Sequence, residues 1–222
     1  AAFSAPRPPI EAGDAPPLPE LPDVGPALRQ ARTPGAALAV TALENLRTLL
    51  GACSDLNDFL GRHPELHPSG AGNLDLPGPL VARLDEVLSS TGKLREDASE
   101  ELGRLHGERR SLGEEATEAV RKRQDKRDLR DAVDDPKKVT WHGPRAAITL
   151  RATHADGVKG VRRGTAMGGR DVIIEPVEAV AVNNRLEAMD GRIQAEEQRL
   201  LREVTDTVRE HADALDRLVT AI

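Results

Sequence analysis

Two long stretches of this sequence repeat apolar residues at alternating three- and four-residue intervals, the first beginning at Ala98 and the second at Leu186. This spacing predicts two amphipathic helices, because residues three and four apart lie on one helix face. Two such helices joined by an insert can pair antiparallel. The first seam comprises Ala98, Leu102, Leu105, Leu112, Ala116 and Ala119, diluted by Arg109 and Arg123; the second comprises Leu186, Met189, Ile193, Leu200, Val204, His211, Leu215, Leu218 and Ile222.

The first part of the chain predicts shorter helices behind a proline-rich lead-in. Residues 1–26 carry eight prolines and are expected to be extended or disordered. Helices are expected at Pro26–Arg32, at about Ala36–Leu60 and at Pro79–Ser90, with breaks at the intervening glycines and prolines.

The insert between the two long helices, Lys137–Pro176, has a different pattern. Its best predicted strands are Ala146–Thr153 and Val172–Glu175, and Val158–Arg162 is a weaker one. The predicted connections are Gly143–Pro144, Asp156–Gly157 and a longer loop at Gly164–Gly169.

These patterns predict a mostly α fold: a helical core segment plus long antiparallel lever helices capped by a small β subdomain. The predicted segments are a lead-in at 1–26, the helical core at 27–92, the first lever helix at 93–136, the cap at 137–176 and the second lever helix at 177–222. Aromatic residues make up only 1% of the chain. Packing therefore falls to Leu, Val and Ala, which suits seams between helices better than a deep ligand pocket.

Charge separates the insert from the rest of the chain. The net charge is −6 overall, yet the insert holds eight basic residues against three acids. A basic cap on an acidic protein favours contact with a polyanion such as nucleic acid. The alternative is a coiled-coil scaffold whose cap binds another protein. The basic residues are Lys137, Lys138, Arg145, Arg151, Lys159, Arg162, Arg163 and Arg170.

No catalytic or metal site is predicted. Cys53 has no partner for a disulfide and is expected in the core, consistent with a cytoplasmic protein. His63 and His67 are separated by a proline that breaks the helix needed to align them on zinc. His211 is interpreted as a satisfied seam histidine. Trp141 is expected to anchor the core of the cap, and stacking on a nucleic-acid base is the alternative. Neither a membrane span nor a signal peptide is expected.

Four stretches of the sequence, taken together, resemble the MutS-two branch of the bacterial MutS family. Val172–Leu186 carries the most specific likeness, in Glu175-Pro176 and Asn183-Asn184, and Val139–Leu150 matches through Gly143 and Arg145. The other two stretches are Leu18–Arg32 and Gly92–Leu102. The sequence departs from the family pattern at Arg162–Asp171, where a His-Asp turn is usual, and a degenerate member of the family is therefore a further alternative.

The resemblance implies lever helices and a β clamp that closes on branched DNA or ribosomal RNA, in recombination suppression or ribosome rescue. It also implies a cytoplasmic homodimer whose ATPase, with ATP and Mg, lies outside this segment, as does a nuclease domain. No cofactor is expected within the segment itself, which has no P-loop motif, and the sequence is interpreted as part of a longer protein. Glu175, Pro176, Asn183 and Asn184 are expected to form the structural base of the clamp, and the eight basic residues above to contact phosphates.

Overall fold

Six α-helices and one four-stranded sheet form the described part of the chain. The computed structural model describes residues 20–64, 74–127, 129, 132–133 and 138–221. The helices are α1 (Gly25–Ala31), α2 (Val40–Arg62), α3 (Gly78–Val87), α4 (Glu100–Gln124), α5 (Val177–Glu210) and α6 (Ala212–Ala221). The strands are β1 (Thr140–His142), β2 (Arg145–Arg151), β3 (Gly160–Ala166) and β4 (Asp171–Pro176). The predicted mostly α fold with a small β subdomain is confirmed.

The chain divides into two compact units, one holding the residues up to Ala98 together with those from Gln198 onward, and the other holding Ser99–Glu197. We call them the helical unit and the sheet unit. The proline-rich lead-in up to residue 19, together with His67, Lys137 and Ile222, lies outside the described residues.

The helical unit contains the three short helices predicted from the sequence. α2 begins four residues later than the prediction, because Ala39 has extended backbone angles and the neighbouring Leu38 N–H donates to Thr205 Oγ1 at 2.8 Å. Leu38 is buried, so this bond satisfies a donor that water cannot reach. The core is built almost entirely from aliphatic side chains, among them Leu43, Leu46, Leu50, Leu84, Val204 and Leu215.

Polar pairs show that α4 and α5 run antiparallel, as predicted. Ser99 Oγ donates to Glu196 at 2.7 Å, Arg109 Nε lies 2.5 Å from Asp190, and Arg185 lies 3.1 Å from Glu115. The residue numbers of the partners on α5 fall as those on α4 rise, and only an antiparallel pair of helices allows this. Buried side chains line both helices beneath these pairs: Leu102, Leu105, Leu112 and Ala116 on α4, and Leu186, Met189 and Ile193 on α5.

α4 departs from the prediction in two ways. Val120 is buried where the heptad pattern predicted Ala119, because a straight helix of 3.6 residues per turn drifts from a 3.5-residue repeat. The helix also occupies only part of the predicted 93–136 segment. Ser99 caps its start by accepting from the Leu102 N–H at 3.0 Å, and after Asp125 the chain turns toward β2, where the Arg151 N–H donates to the Ala132 carbonyl.

All neighbouring strands are antiparallel, in the order β1-β2-β4-β3. Ile148 lies opposite Ile174, and Leu150 opposite Val172, so these four buried residues share one face of the sheet. The predicted loop at Gly164–Gly169 is shorter than expected. β3 continues to Ala166, and the reversal needs only Met167–Gly169, whose residues have positive φ angles.

Candidate nucleic-acid interface

A buried carboxylate lies at the centre of the sheet unit. Glu175, near the end of β4, has no exposed surface. Its Oε1 accepts from Arg145 Nη1 at 2.8 Å and from Asn183 Nδ2 at 2.9 Å, and its Oε2 accepts from Arg163 Nε at 2.6 Å. These donors come from β2, α5 and β3, so a single carboxylate joins four elements of the unit.

Electrostatics favour the charged form of Glu175. Burial alone raises the pKa of this carboxyl group, but the hydrogen bonds from Asn183, Arg163 and Arg145 outweigh burial and hold its pKa below the ordinary value. The Glu175 side chain is therefore an anion compensated by two guanidinium groups.

The Asn183 carboxamide completes the sheet at the point where β4 ends. Ile148 pairs with Ile174, so two residues earlier Ala146 lies opposite Pro176, which has no N–H to donate. Asn183 Nδ2 donates to the Ala146 carbonyl at 2.9 Å, and Asn183 Oδ1 accepts from the Ala146 N–H at 3.0 Å. One buried side chain thus supplies both hydrogen bonds that a further strand residue would make.

Arg145 connects this cluster to the exposed side of α5. Its Nη2 donates to Asn184 Oδ1 at 2.9 Å and to Glu187 Oε2 at 2.6 Å. Glu187 was not among the residues predicted from the sequence. A signal was present, because Glu187 stands three residues after Asn184 and therefore on the same helix face.

A β-bulge directs Arg163 to Glu175. In the pairing of β3 with β4, Arg162 lies opposite Ile174 and Gly164 lies opposite Ile173, which leaves Arg163 as the extra residue. Bulges turn a side chain out of the regular alternation of a strand. Two consecutive arginines consequently differ: the Arg163 side chain is 29% exposed and ion-paired with Glu175, whereas Arg162 is exposed.

The other described basic residues of the insert lie at the surface. Arg151 and Arg170 are neighbours across the sheet, because Arg151 pairs with Asp171 and the Ala152 N–H donates to the Arg170 carbonyl. Lys159 and Arg162 flank the start of β3, and Lys138 precedes β1. All five of these side chains are exposed.

Trp141 does not anchor the core of the sheet unit, contrary to the prediction. It lies on β1, which forms one edge of the sheet, opposite the small residue Ala146, and 45% of its surface is exposed. An edge strand lacks a neighbour on one side, and its central residue has less protein to cover it.

The remaining candidate residues have structural surroundings. Cys53 is buried as predicted, and burial raises the pKa of its thiol. His211 is partly buried, with Nδ1 2.9 Å from the Thr207 carbonyl, in line with its interpretation as a satisfied seam histidine. Over the described residues, no group of three or more His, Cys, Asp or Glu side chains is placed to hold a metal ion. None of the described helices combines the length and the apolar run required to cross a membrane.

No protein-family model matches the chain. Curated proteins named endonuclease MutS2 are similar to it: that of Leuconostoc citreum is 26% identical over 93% of this chain, and that of Thermus thermophilus 29% identical over 84%. The chain resembles the MutS2 proteins along most of its length. The MutS2 protein of Thermomicrobium roseum is also similar, with 29% identity over 79% of this chain.

The predicted resemblance to MutS2 is confirmed, and it covers only part of each relative. The chain spans 26%, 22% and 25% of the lengths of the L. citreum, T. roseum and T. thermophilus MutS2 proteins.

Proposed function

We propose that the sheet unit binds the phosphate backbone of branched DNA or structured RNA, as the clamp of a protein related to MutS2. The observation that carries this proposal is the set of exposed basic residues on the insert. They are Lys138, Arg151, Lys159, Arg162 and Arg170. Within the insert only Asp156 and Asp171 oppose them once Glu175 is assigned to its internal ion pairs.

The ion pairs of the buried Glu175 reduce the number of basic residues that are assigned to phosphate contacts. Arg145 and Arg163 neutralise Glu175, so we assign them to holding the sheet on α5 and not to the ligand. The five exposed side chains have no regular spacing along the strands. Charge without regular spacing suits phosphate contacts, which position a protein on nucleic acid without reading its sequence.

The relatives support the polyanion as a ligand class, because a protein named an endonuclease cuts nucleic acid. For the whole protein we propose a cytoplasmic homodimer in which ATP and Mg bind to regions other than these 222 residues. Binding of ATP there would change the closure of the clamp as a rigid-body switch.

The test is a salt titration of binding to a DNA four-way junction and to a structured ribosomal RNA fragment. Five phosphate contacts predict a slope of log affinity against log salt of roughly −4 to −5 on duplex DNA. The variant Lys159→Glu, Arg162→Glu, Arg170→Glu should abolish binding. The control Lys93→Glu, Arg202→Glu, Arg217→Glu makes the same change in net charge on exposed residues of the helical unit and should retain the slope.

Equal weakening of binding in both triple variants would refute the proposal, because the effect would then be one of total charge. Binding that does not depend on salt would favour the scaffold alternative, in which the cap contacts a protein. The ratio of junction affinity to RNA affinity identifies which of the two ligands this chain prefers.

A further inference from the structure

An open cleft of about 750 Å³ separates Trp141 from α4 within the sheet unit. Trp141 and Gly143 form one wall, and the outward face of α4 forms the other. The volume lies in the range of small-molecule sites. None of the five exposed basic residues assigned above to the phosphates lines this cleft.

The α4 wall has a gap in its middle. Arg110, Gly113, Thr117 and Arg121 follow one another at three- or four-residue steps and so share one helix face. Gly113 has no side chain, and a Cβ atom placed there would meet nothing within 4 Å. The long side chains of Arg110 and Arg121 therefore border a low floor at Gly113. The indole of Trp141 lies on the opposite side of the cleft.

The chemistry of the cleft suits a flat ligand with a polar edge. Trp141 supplies the only aromatic surface, while Arg110 and Arg121 supply donors and Glu114 and Glu118 supply acceptors. A docked apolar side chain of a protein would remove water from these charged groups without offering them a hydrogen bond in exchange. A nucleobase has both a π-face for stacking and a rim of donors and acceptors.

We propose that this cleft receives a single unpaired nucleobase, which stacks on Trp141. The phosphates of the same nucleic acid are held by the five exposed basic residues assigned above. A base inside a duplex has both faces covered and its pairing edge in use, so the ligand must present an unstacked nucleotide, as junctions and loops do. This inference rests on the proposed function and adds a subsite to it.

Trp141 is the only tryptophan of the chain, and the chain has no tyrosine, so intrinsic fluorescence reports on this cleft. The 222-residue chain is titrated with oligodeoxyadenylate and with an abasic strand of the same length and charge. Both strands are expected to bind through their phosphates. Only oligodeoxyadenylate should quench Trp141, and it should bind roughly tenfold tighter, as expected for one stacked base.

Two variants remove the subsite by different routes. Trp141→Leu removes the stacking surface of a residue that is 45% exposed, and Gly113→Gln fills the floor of the cleft while leaving Trp141 in place. Each should reduce the affinity for oligodeoxyadenylate to that for the abasic strand, with both affinities measured by the anisotropy of an end-labelled strand because Trp141→Leu removes the intrinsic fluorophore. Val161→Thr, at an exposed position on the opposite edge strand, is the matched control and should keep the tenfold difference.

The outcomes separate the two proposals. Equal affinity for the two strands without quenching, or binding of junction DNA but of neither single strand, overturns the base subsite and leaves the phosphate clamp standing. A chain that binds no nucleic acid at all overturns the clamp, and the subsite with it. A Gly113→Gln variant that still prefers the base-bearing strand overturns the location of the subsite in the cleft.

Discussion

Replacing Glu175 by glutamine should strongly destabilise the sheet unit. The substitution preserves size and removes the charge that compensates Arg145 and Arg163, both of which lie within hydrogen-bonding distance of a carboxylate with no exposed surface. The new amide group would also place N–H donors toward guanidinium donors. A buried ion pair that loses one partner leaves an uncompensated charge, and this typically costs 3–5 kcal/mol.

The exposure of Arg145 and Arg163 determines where in this range the loss of unfolding free energy should fall. The Arg145 side chain is 14% exposed and still has Glu187 as a partner, and the Arg163 side chain is 29% exposed and can turn toward water. We therefore expect Glu175→Gln to lower the free energy of unfolding by about 3 kcal/mol, the lower end of the range. Glu187→Gln, at a side chain that is 61% exposed, should cost at most about 1 kcal/mol.

Urea unfolding followed by Trp141 fluorescence measures the effect, because the only tryptophan lies in the sheet. The double variant Glu175→Gln, Arg163→Met should be more stable than the sum of the single effects by about 1 kcal/mol, since it removes an unpaired charge. A loss below about 1 kcal/mol for Glu175→Gln, or a loss equal to that of Glu187→Gln, would refute the view that this carboxylate holds the unit together.

Further predictions concern Gly160, Ser99 and the charge of Glu175. Gly160→Ala should cost about 1–3 kcal/mol in urea unfolding, because its Cβ would lie 2.2 Å from the Glu175 carbonyl oxygen, whereas Gly157→Ala, with open space around it, should stay within about 0.5 kcal/mol. Ser99→Ala should cost about 1–2 kcal/mol, because it removes both the N-cap of α4 and the hydrogen bond to Glu196, and the exposed mid-helix Ser111→Ala should cost nothing measurable. The pKa of Glu175 is lowered by folding, so its stabilisation is complete above the unfolded-state pKa of roughly 4.3 and is lost as pH falls through the folded-state pKa. The stability gap between the wild type and Glu175→Gln should therefore narrow below about pH 4, and a gap independent of pH would contradict this assignment.

Most helices could be predicted from the sequence because the signals that define them are local, although the single helix predicted over 177–222 is divided at His211 into α5 and α6. The seam of α5 at Leu186, Met189 and Ile193 depends only on neighbours three and four positions away, and so does the seam of α4 as far as Ala116. The strands at β2 and β4 follow from short β-prone runs bounded by turn residues, although the short edge strand β1 carried too few residues to be recognised.

The boundaries and the site depended on contacts between distant residues. The start of α2 is set by a bond from Leu38 to Thr205, 167 positions away. The roles of Glu175 and Asn183 depend on partners 30 and 37 residues earlier in the chain, Arg145 and Ala146. No local pattern encodes such pairs, because they form only when strand order brings the residues together.

Local sequence signals were enough to predict the order of the long helices and of β2, β3 and β4, the likeness to MutS2 and the gathering of positive charge in one insert. The assembled fold determines which of those charges face outward. Arg162 and Arg163 are adjacent and identical in chemistry, yet a one-residue bulge assigns one to solvent and the other to a buried carboxylate. Trp141 is likewise exposed beside α4 because its strand, β1, forms an edge of the sheet. The physical reason is that periodicity is a property of neighbouring residues, whereas burial and charge compensation are properties of the assembled sheet.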